Sequence, residues 1–298
     1  MNPNRLHDRH SFYKHANADT SKIILAGGKL RWSVPSLFND PFDVPKEILD
    51  GVDENRISNA LVDRMNALVI TPNLPHPEHH SPMTKMLLYG ISKTDDELKR
   101  QILAANEESR QDPSITSEGL EILRKEWRSM YCEQRILCFT ESWDSASMWD
   151  RYSQGHRGAL LEFACLDHLD SAWLTAKPVN YTDDPLSVNT PAGLADLLFY
   201  EVQYAMTRIM EEYMHTKTTD WAYEKEWRLA SWKRSHEQGE YSDYEFLVEE
   251  LIGVTFGALM SENDRTELQQ LVKTKYPHVK LWQASIDSGR HMIRREVQ

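Results

Sequence analysis

The amino-acid sequence predicts an α+β fold, in which helices surround a mixed or antiparallel sheet or a pair of sheets. Three zones support this prediction: short alternating runs over residues 12–44, charged helical segments over 45–134, and strand-rich segments over 135–298. At 298 residues the chain is long enough for one large domain. We therefore predict a single α+β domain, 1–298, with residues 45–134 as a helical insertion within it.

The first zone contains two strand candidates, FYKHA and KLRWSV. In the second of these, apolar and polar side chains alternate as in a half-buried strand, which places three apolar residues on one face: Leu30, Trp32 and Val34. The intervening DTSKIILAGG predicts a short helix that has Asp19 or Thr20 as its N-cap and is ended by Gly27-Gly28.

The second zone carries apolar residues at helical spacing in three segments, residues 54–70, 93–110 and 117–131. Thr94 and Glu97 form an expected capping box at the start of the middle segment. The linker after the first segment carries three histidines: His76, His79 and His80. They could bind a metal, but a solvated loop is the favoured interpretation, because no acid or cysteine completes a recognisable ligand set.

The third zone is richest in strands. RILCFTE and GALLEFAC are apolar enough to be central strands, and five shorter candidates follow: KPVNYTD, EWRLASW, ELIGVTFG, VKLWQAS and HMIRREV. One helix is expected over residues 190–215, with Thr190 as N-cap and Pro191 in its first turn. A second is expected to begin at Ser261 and to end before Pro277.

Composition narrows the classes of function. The net charge of −12 argues against bulk nucleic acid as the partner, but it leaves room for a small anionic ligand in a local basic pocket. Three cysteines without a CxxC pair, and no apolar leader or bilayer-length run, predict a cytoplasmic protein. No GxGxxG, GxxxxGK[ST], GxSxG or HExxH motif is present, which argues against Rossmann, P-loop, α/β-hydrolase and zincin enzymes.

The segment YEKEWRL contains the most distinctive acid pair. On a strand, Glu224, Glu226 and Arg228 would share one face, and Tyr223, Lys225, Trp227 and Leu229 the other. One interpretation is a pair of acids directed into an active site. The alternative is a solvated face on which Arg228 pairs with a glutamate and adds little stability.

Two further segments could bind a ligand. In SLFNDPFDV, Asn39 and Asp40 either form a turn through their own backbone or, with Asp43, bind a metal or ligand hydroxyls. In residues 138–163, Ser145 is expected to cap a short helix that places Met148, Trp149 and Tyr152 on one side. This helix and the following basic turn could bind a nucleotide, with phosphate contacts from Arg151, His156 and Arg157. For Met148 and Trp149, a core position is the favoured alternative.

Three of these motifs resemble a known family. The order Asn-Asp-Pro-Phe, then Met-Trp-x-x-Tyr with a nearby Gly, then Glu-x-Glu-Trp-Arg is similar to the bacterial family of proteins of unknown function numbered 2971 (DUF2971). The resemblance covers residues 12–260, more loosely in the helical zone. Because that family has no assigned function, the resemblance by itself implies none.

A second resemblance does imply a function. A strand with Tyr13-Lys14-His15, a short helix ending in Gly, and a strand bearing Ser33 look like the start of ADP-ribosyltransferase domains. This resemblance implies that Lys14 or His15 fills the first site position and Ser33 the second, while Glu226, preceded by Glu224, is the catalytic acid. It also implies a split-sandwich fold, NAD as substrate, and an acceptor that could be protein, nucleic acid or water.

Chemistry is consistent with this layout, since loss of nicotinamide builds an oxocarbenium ion that a fixed carboxylate stabilises. Glu226 would supply that carboxylate, and Glu224 would orient or deprotonate the acceptor. The remaining expected contacts are to the pyrophosphate, from Lys14, Arg31 or Arg157, and to a base or nicotinamide ring, from Tyr13, Trp149 or Tyr152.

The leading hypothesis is therefore an ADP-ribosyltransferase or NAD glycohydrolase, as in a toxin or a phage-defence effector. One alternative is a non-catalytic nucleotide- or partner-binding module that uses the Asn39–Asp43 turn and the Trp149–Tyr152 helix. The other is a metal-dependent phosphodiesterase that uses Asp40, Asp43 and the glutamate pair.

Overall fold

The computed structural model describes residues 2–40, 42–49, 51–111 and 113–297. Its helices are α1 (Ala18–Gly27), α2 (Glu54–Ile70), α3 (Pro82–Ser92), α4 (Asp96–Glu108), α5 (Ser114–Tyr131), α6 (Ala146–Tyr152), α7 (Pro191–Leu197), α8 (Val202–Met214) and α9 (Glu262–Lys275). Its strands are β1 (Ser11–Ala16), β2 (Lys29–Ser33), β3 (Gln134–Thr140), β4 (Ala159–Ala164), β5 (Lys177–Pro178), β6 (Asn180–Tyr181), β7 (Thr216–Lys217), β8 (Glu226–Trp232), β9 (Tyr241–Glu245), β10 (Leu251–Phe256), β11 (Lys280–Ile286) and β12 (Met292–Val297). The predicted α+β class is confirmed.

The chain divides into two compact units. The first comprises Met1–Asn39, Glu133–Asp183 and His215–Gln298, and it contains β1 to β12 with α1, α6 and α9. The second comprises Asp40–Cys132 and Asp184–Met214, and it contains α2 to α5 with α7 and α8. The predicted helical insertion thus forms most of the second unit, which residues 184–214 complete. That the units make one domain stays a prediction.

The first unit is built on a mixed sheet in the order β12-β11-β10-β4-β1-β3-β2-β9, with β8 paired to β3 and β5 paired to β8. β10 and β11 run parallel, while the other paired strands in this sheet are antiparallel. β3 and β4 are buried along most of their length. As their apolar sequences predicted, they are central strands, whose side chains are covered on both faces of the sheet.

The sheet divides at β3. One edge of β3 pairs with β8 along its whole length. The other edge is shared, because Tyr13 of β1 lies opposite Thr140 and Ser33 of β2 lies opposite Ile136. Between these two positions the Lys14 ammonium donates to the Cys138 carbonyl at 2.8 Å. Lys14 therefore bonds a backbone oxygen at the point where β1 and β2 diverge.

A large apolar core lies on one face of this sheet, where α1 and α9 contribute buried side chains. Leu25 of α1 and Leu268 of α9 belong to the same buried cluster as Phe12, Phe163 and Phe256 of the strands. The second unit has its own cluster, which contains Leu68, Val69, Leu74, Ile91 and Phe199. Each unit therefore buries its own apolar surface, the main source of folding free energy.

Several predicted helix ends are confirmed, because Ser145, Thr190 and Ser261 each accept a backbone N–H at the start of a helix. Two predicted caps are wrong by one position or more. Asn17, rather than Asp19 or Thr20, caps α1 by accepting the Thr20 N–H at 2.7 Å. Asp95, rather than Thr94, caps α4 by accepting the Leu98 N–H at 2.9 Å.

The helix expected over residues 190–215 is divided into α7 and α8. The Phe199 carbonyl accepts instead from the Ser81 N–H at 3.1 Å and the Thr84 hydroxyl at 2.6 Å, so it does not continue the helical ladder. α3 and β9 are elements that the sequence patterns did not predict. Across the part of the chain that the structure describes, no helix combines the length and apolarity needed to cross a membrane.

Gly158 is required by the packing of β4 against β1. A β-carbon at this position would lie 2.1 Å from the Ala16 carbonyl oxygen, which belongs to backbone and cannot rotate away. We expect Gly158→Ala to lower the free energy of unfolding by on the order of 3 kcal/mol, measured by denaturant titration. Gly27→Ala is the matched control, since its β-carbon would meet nothing within 4 Å. Equal destabilisation of both variants would contradict this account.

Candidate functional site

The candidate site lies on the face of the sheet that Tyr13, Thr140 and Glu226 share. These residues form a cross-strand row, because Tyr13 pairs with Thr140 and Thr140 pairs with Glu226. Ser33 joins the same face through its pairing with Ile136 of β3. Directly opposite residues in an antiparallel pair point the same way. β3 therefore brings together the three chain segments that carry the predicted site.

The two acids reach this face by different local structures. Glu226 begins β8, but Glu224 ends a short 3-10 helix, Thr219–Glu224. Lys225 between them has a left-handed backbone, with φ of 44°. The prediction that both acids lie on one strand is therefore wrong for Glu224. They still converge, because the turn at Lys225 directs the two carboxylates toward the same lysine.

Lys217 is that lysine, and no sequence pattern predicted its role. Its ammonium donates to Glu224 Oε2 at 2.7 Å and to Glu226 Oε2 at 2.9 Å. Arg228 donates to the same Glu226 carboxylate through Nε at 2.9 Å and Nη2 at 3.0 Å. We call these four residues the acid-pair cluster. Two cations thus balance two carboxylates.

The acid-pair cluster is almost completely buried. Glu224 is 3% exposed, Glu226 6%, Lys217 6% and Arg228 1%. In the alternative that the sequence left open, the expected pairing of Arg228 with a glutamate is confirmed, but the expected solvated face is wrong because these residues are buried. Burying charges at this depth is stabilising only when each one is paired and hydrogen-bonded, as here.

The environments of the two acids shift their pKa values in opposite directions. Burial raises the pKa of Glu224, and Lys217 offsets only part of that effect. Burial acts in the same sense on Glu226, but the positive charges of Arg228 and Lys217 outweigh it and hold the pKa of that carboxyl far below its usual range. Glu226 is therefore the permanently ionised member of the pair, and Glu224 is the member closer to exchanging a proton.

Tyr152, Tyr181 and Asn39, which we call the rim, hold the acid pair in place. The Tyr152 hydroxyl donates to Glu224 Oε1 at 2.5 Å and accepts from the Asn39 amide at 3.1 Å. Burial and the Glu224 carboxylate raise the pKa of Tyr152, so this hydroxyl remains a donor. Tyr181, the partner of Lys217 in the β6–β7 pair, accepts the Glu226 N–H at 2.8 Å. Tyr152, Tyr181 and Asn39 are less buried than the acids.

Cys138 and Phe38 complete the surroundings of the acid-pair cluster. The Cys138 thiol lies opposite Arg228 in the sheet and hydrogen-bonds to Glu226, which together with burial raises its pKa. The Arg228 guanidinium lies 5.3 Å from the centre of the Phe38 ring. The Cys138 thiol thus contacts Glu226, and the Phe38 ring contacts Arg228.

Several predicted ligand contacts have other roles. Arg31 is bonded to Asp243 at 3.0 Å and packs 3.7 Å from the centre of the Tyr241 ring. Lys14 bonds the Cys138 carbonyl, as described above. Arg157 is exposed and donates to the Gly155 carbonyl at 3.2 Å. The structure therefore does not bring the three expected pyrophosphate cations into one cluster with the acids.

The three aromatic residues predicted to stack on a base or nicotinamide ring have different contacts in the structure. Trp149 is fully buried and donates to the Trp143 carbonyl at 2.8 Å, so the core interpretation is confirmed for it and for buried Met148. It therefore offers no free ring face for a base. Tyr13 donates to Glu162 at 3.2 Å. Of the predicted rings, Tyr152 is the one that contacts an acid of the cluster.

His15 lies two residues after Tyr13 on β1, on the same face of the sheet, and is buried. Its Nδ1 lies 2.9 Å from the Ser153 hydroxyl, and its ring meets Trp149 edge to face at 5.0 Å. Burial, with smaller effects from Lys14 and His156, lowers its pKa to about 3. His15 is therefore a neutral core histidine at physiological pH.

The turn residues Asn39 and Asp40 have different hydrogen-bond partners. Asn39 contacts Tyr152, whereas Asp40 Oδ1 accepts the Phe42 N–H at 2.9 Å, as the turn interpretation expects. Pro41 of this motif lies outside the described residues. Asp43 is buried in the second unit.

The histidine linker also differs from expectation. His80 is buried and its Nε2 lies 2.9 Å from the Pro75 carbonyl, so the solvated-loop interpretation is wrong for this residue. His79 stacks on Tyr204 with ring centres 4.3 Å apart. Within the described ranges, no group of three or more His, Cys, Asp or Glu side chains could hold a metal ion.

Fold and site together define an α+β protein with a buried, charge-balanced acid pair beside a divided central sheet. Residues 148–229 match the family described as protein of unknown function (DUF2971), and this match supports the resemblance to that family seen in the sequence. The matched segment contains Tyr152, Lys217 and the Glu-x-Glu-Trp-Arg motif. No curated protein and no solved structure matches the chain significantly.

Lys217 is the residue on which the acid pair depends. We expect Lys217→Met to lower the free energy of unfolding by about 3–5 kcal/mol at neutral pH, because it leaves a buried carboxylate unpaired. The loss should shrink as pH falls, since the pKa of Glu224 in the folded variant rises further above its unfolded value and protonation favours the folded state below that pKa. Denaturant titrations from pH 4.5 to 8 measure both effects.

Lys22→Met is the matched control for Lys217→Met. Lys22 also bridges two carboxylates, Asp264 at 2.8 Å and Glu267, but it does so at the surface. We expect it to cost less than about 1 kcal/mol, with little dependence on pH over this range. Similar losses in the two variants would show that burial of the acid pair is not what makes Lys217 necessary.

Proposed function

We propose that this protein cleaves the bond between nicotinamide and ribose in NAD, as an ADP-ribosyltransferase or an NAD glycohydrolase. The observation that carries the proposal is the acid pair itself, in which one buried carboxylate is held ionised and its neighbour is shifted toward neutral pH. Paired acids whose environments separate their pKa values are typical of enzymes that divide charge stabilisation from proton transfer.

In the proposed reaction, Glu226 stabilises positive charge on the ribose. The bond from ribose C1′ to the nicotinamide nitrogen breaks, and its electron pair leaves with nicotinamide. An anionic carboxylate near the resulting oxocarbenium ion stabilises the transition state more than it stabilises the ground state. Lys217 and Arg228 position this carboxylate and keep it ionised, so its charge does not depend on ordinary changes in pH.

Glu224 takes the complementary role of a general base. The acceptor, water or a nucleophilic side chain, forms a new bond to C1′ and gives its proton to Glu224. The raised pKa of Glu224 suits this step, and Tyr152 orients the carboxylate through its hydroxyl. Tyr152 is thus a positioning residue in this proposal.

Nicotinamide release in the presence of NAD tests the proposal directly. We expect Glu226→Gln and Glu224→Gln each to lower the rate at least about 100-fold. The first removes the negative charge that stabilises the oxocarbenium ion, and the second removes the general base. Glu250→Gln is the matched control, since Glu250 is also a buried glutamate of the first unit but caps a 3-10 turn through the Leu247 N–H. Thermal unfolding of each variant separates lost chemistry from lost folding.

Failure of the wild-type protein to release nicotinamide, or to transfer label from NAD to protein or nucleic acid in a lysate, would contradict the proposal. Full activity in a folded Glu226→Gln variant would contradict the role of that residue. Label transfer without free ADP-ribose identifies a transferase, and free ADP-ribose alone identifies a glycohydrolase.

Tyr152 gives a second test, based on pH. Activity should rise with pH as Glu224 loses its proton, and removal of the hydroxyl that donates to its carboxylate should raise the pKa of Glu224. We therefore expect Tyr152→Phe to move the acidic limb of the kcat/KM profile to higher pH. Tyr241→Phe, at an exposed tyrosine that packs on Arg31, should leave the limb in place. An unchanged limb in Tyr152→Phe would rule out Glu224 as the titrating base.

A non-catalytic nucleotide- or partner-binding module is a second candidate, and the saturation of both carboxylates by cations favours it. This candidate predicts that NAD or a related nucleotide raises the unfolding temperature with no nicotinamide released. Turnover in the same sample would exclude it.

A further inference from the structure

A second cluster of charge and aromatic rings lies on the first unit, and it surrounds Arg294. The Arg294 guanidinium carbon lies 4.8 Å from the centre of the Trp282 ring, 4.9 Å from that of Trp143 and 5.8 Å from that of Tyr13. Its Nη1 lies 3.3 Å from Glu162 Oε2. We call Tyr13, Trp143, Trp282 and Glu162 the aromatic cage. Three rings and one carboxylate thus enclose a single cation.

Contacts that do not involve Arg294 order two members of the cage, Tyr13 and Glu162. The Ser11 and Tyr13 hydroxyls donate to Glu162 Oε1 at 3.0 Å and 3.2 Å, which leaves Oε2 directed at the cation. Tyr13 and Glu162 lie opposite each other on adjacent strands β1 and β4. The side chains of Arg294 and Glu162 are 19% and 15% exposed, so the ion pair is largely shielded from water.

Arg294, the cation inside the cage, lies in contrast at the edge of the sheet. Arg294 belongs to β12, the last strand, which pairs with β11 from Ile286↔Met292 to Leu281↔Val297. Strands at the edge of a sheet open at lower free energy than central strands. Tyr13 and Glu162 of the cage therefore lie on central strands, while the cation belongs to an edge strand and can leave with it.

We propose that the aromatic cage is a guanidinium-binding site, which Arg294 fills in cis and which an arginine side chain supplied in trans occupies in its place. A guanidinium fits this set because it is planar, stacks on rings and donates to a carboxylate through a fixed edge. A quaternary ammonium cannot donate to Glu162, and a primary ammonium is more strongly hydrated. The proposal does not depend on the chemistry proposed for the acid pair.

The Arg294→Ala variant tests whether the cage binds a guanidinium. We expect methylguanidinium to quench tryptophan fluorescence of this variant saturably at millimolar concentration, at constant ionic strength. Tetramethylammonium should bind at least tenfold more weakly, and Arg294→Ala with Glu162→Gln should lose at least tenfold in affinity for methylguanidinium. Arg295→Ala is the matched control, since the neighbouring arginine is exposed and its cage stays filled. Absence of saturable binding in folded Arg294→Ala, or equal binding in Arg295→Ala, would overturn the proposal.

Exchange in the wild-type protein is tested by hydrogen exchange of the β12 amides. We expect L-arginine, or a capped peptide of the sequence MIRREV, to accelerate exchange over residues 292–297 at least threefold, while amides of β4 stay protected. The response to free L-arginine and the response to the peptide distinguish an amino acid from a protein segment as the source of the guanidinium. If neither probe accelerates exchange at concentrations that saturate Arg294→Ala, the cage holds only its own arginine and exchange in trans is wrong.

Discussion

The contact of one buried ammonium with two buried carboxylates is the interaction on which the site depends. Glu224 and Glu226 are too close in the chain, and too far from water, to remain ionised together without a cation between them. Lys217 supplies it at 2.7 Å and 2.9 Å, and Arg228 adds a second positive charge on Glu226 alone. This unequal sharing is what separates the two pKa values.

The local backbone follows from the same requirement. β7 must place Lys217 beside the start of β8, and it does so by pairing with β6, whose Tyr181 also accepts the Glu226 N–H. The left-handed turn at Lys225 then lets Glu224, at the end of the 3-10 helix, direct its carboxylate toward Lys217. Two-residue strands and a strained turn are therefore explained by electrostatics rather than by intrinsic propensity.

The sequence was sufficient for features that periodicity or capping chemistry controls. α2, β8 and the caps at Ser145, Thr190 and Ser261 follow from local patterns, since each depends on side chains within one turn or one strand. The convergence of Tyr13, Ser33 and Glu226 was expected only through resemblance, because it depends on which strands flank β3. Lys217 was missed for a related reason: an isolated lysine in a threonine-rich segment carries no signal until tertiary contacts place it between two acids. The partners of Arg31 and Trp149 also depend on tertiary structure: Arg31 pairs with exposed Asp243, and Trp149 lies in the core, as the favoured alternative expected.

Stability and reactivity make opposite demands on the acid pair. Both carboxylate oxygens of Glu226 already accept from Lys217 or Arg228, so a ribose hydroxyl in the proposed reaction would have to share one of them. A ligand can reach this carboxylate only by sharing it with Lys217 or Arg228, or by displacing a rim contact. The rim contact between Asn39 and Tyr152 is the weaker one, since both side chains are less buried and the 3.1 Å bond joins two neutral groups. Its loss would free the Tyr152 hydroxyl without unpairing a charge. Opening the rim therefore costs less free energy than separating the buried charges. The Glu224 side of the pair is the first to become accessible.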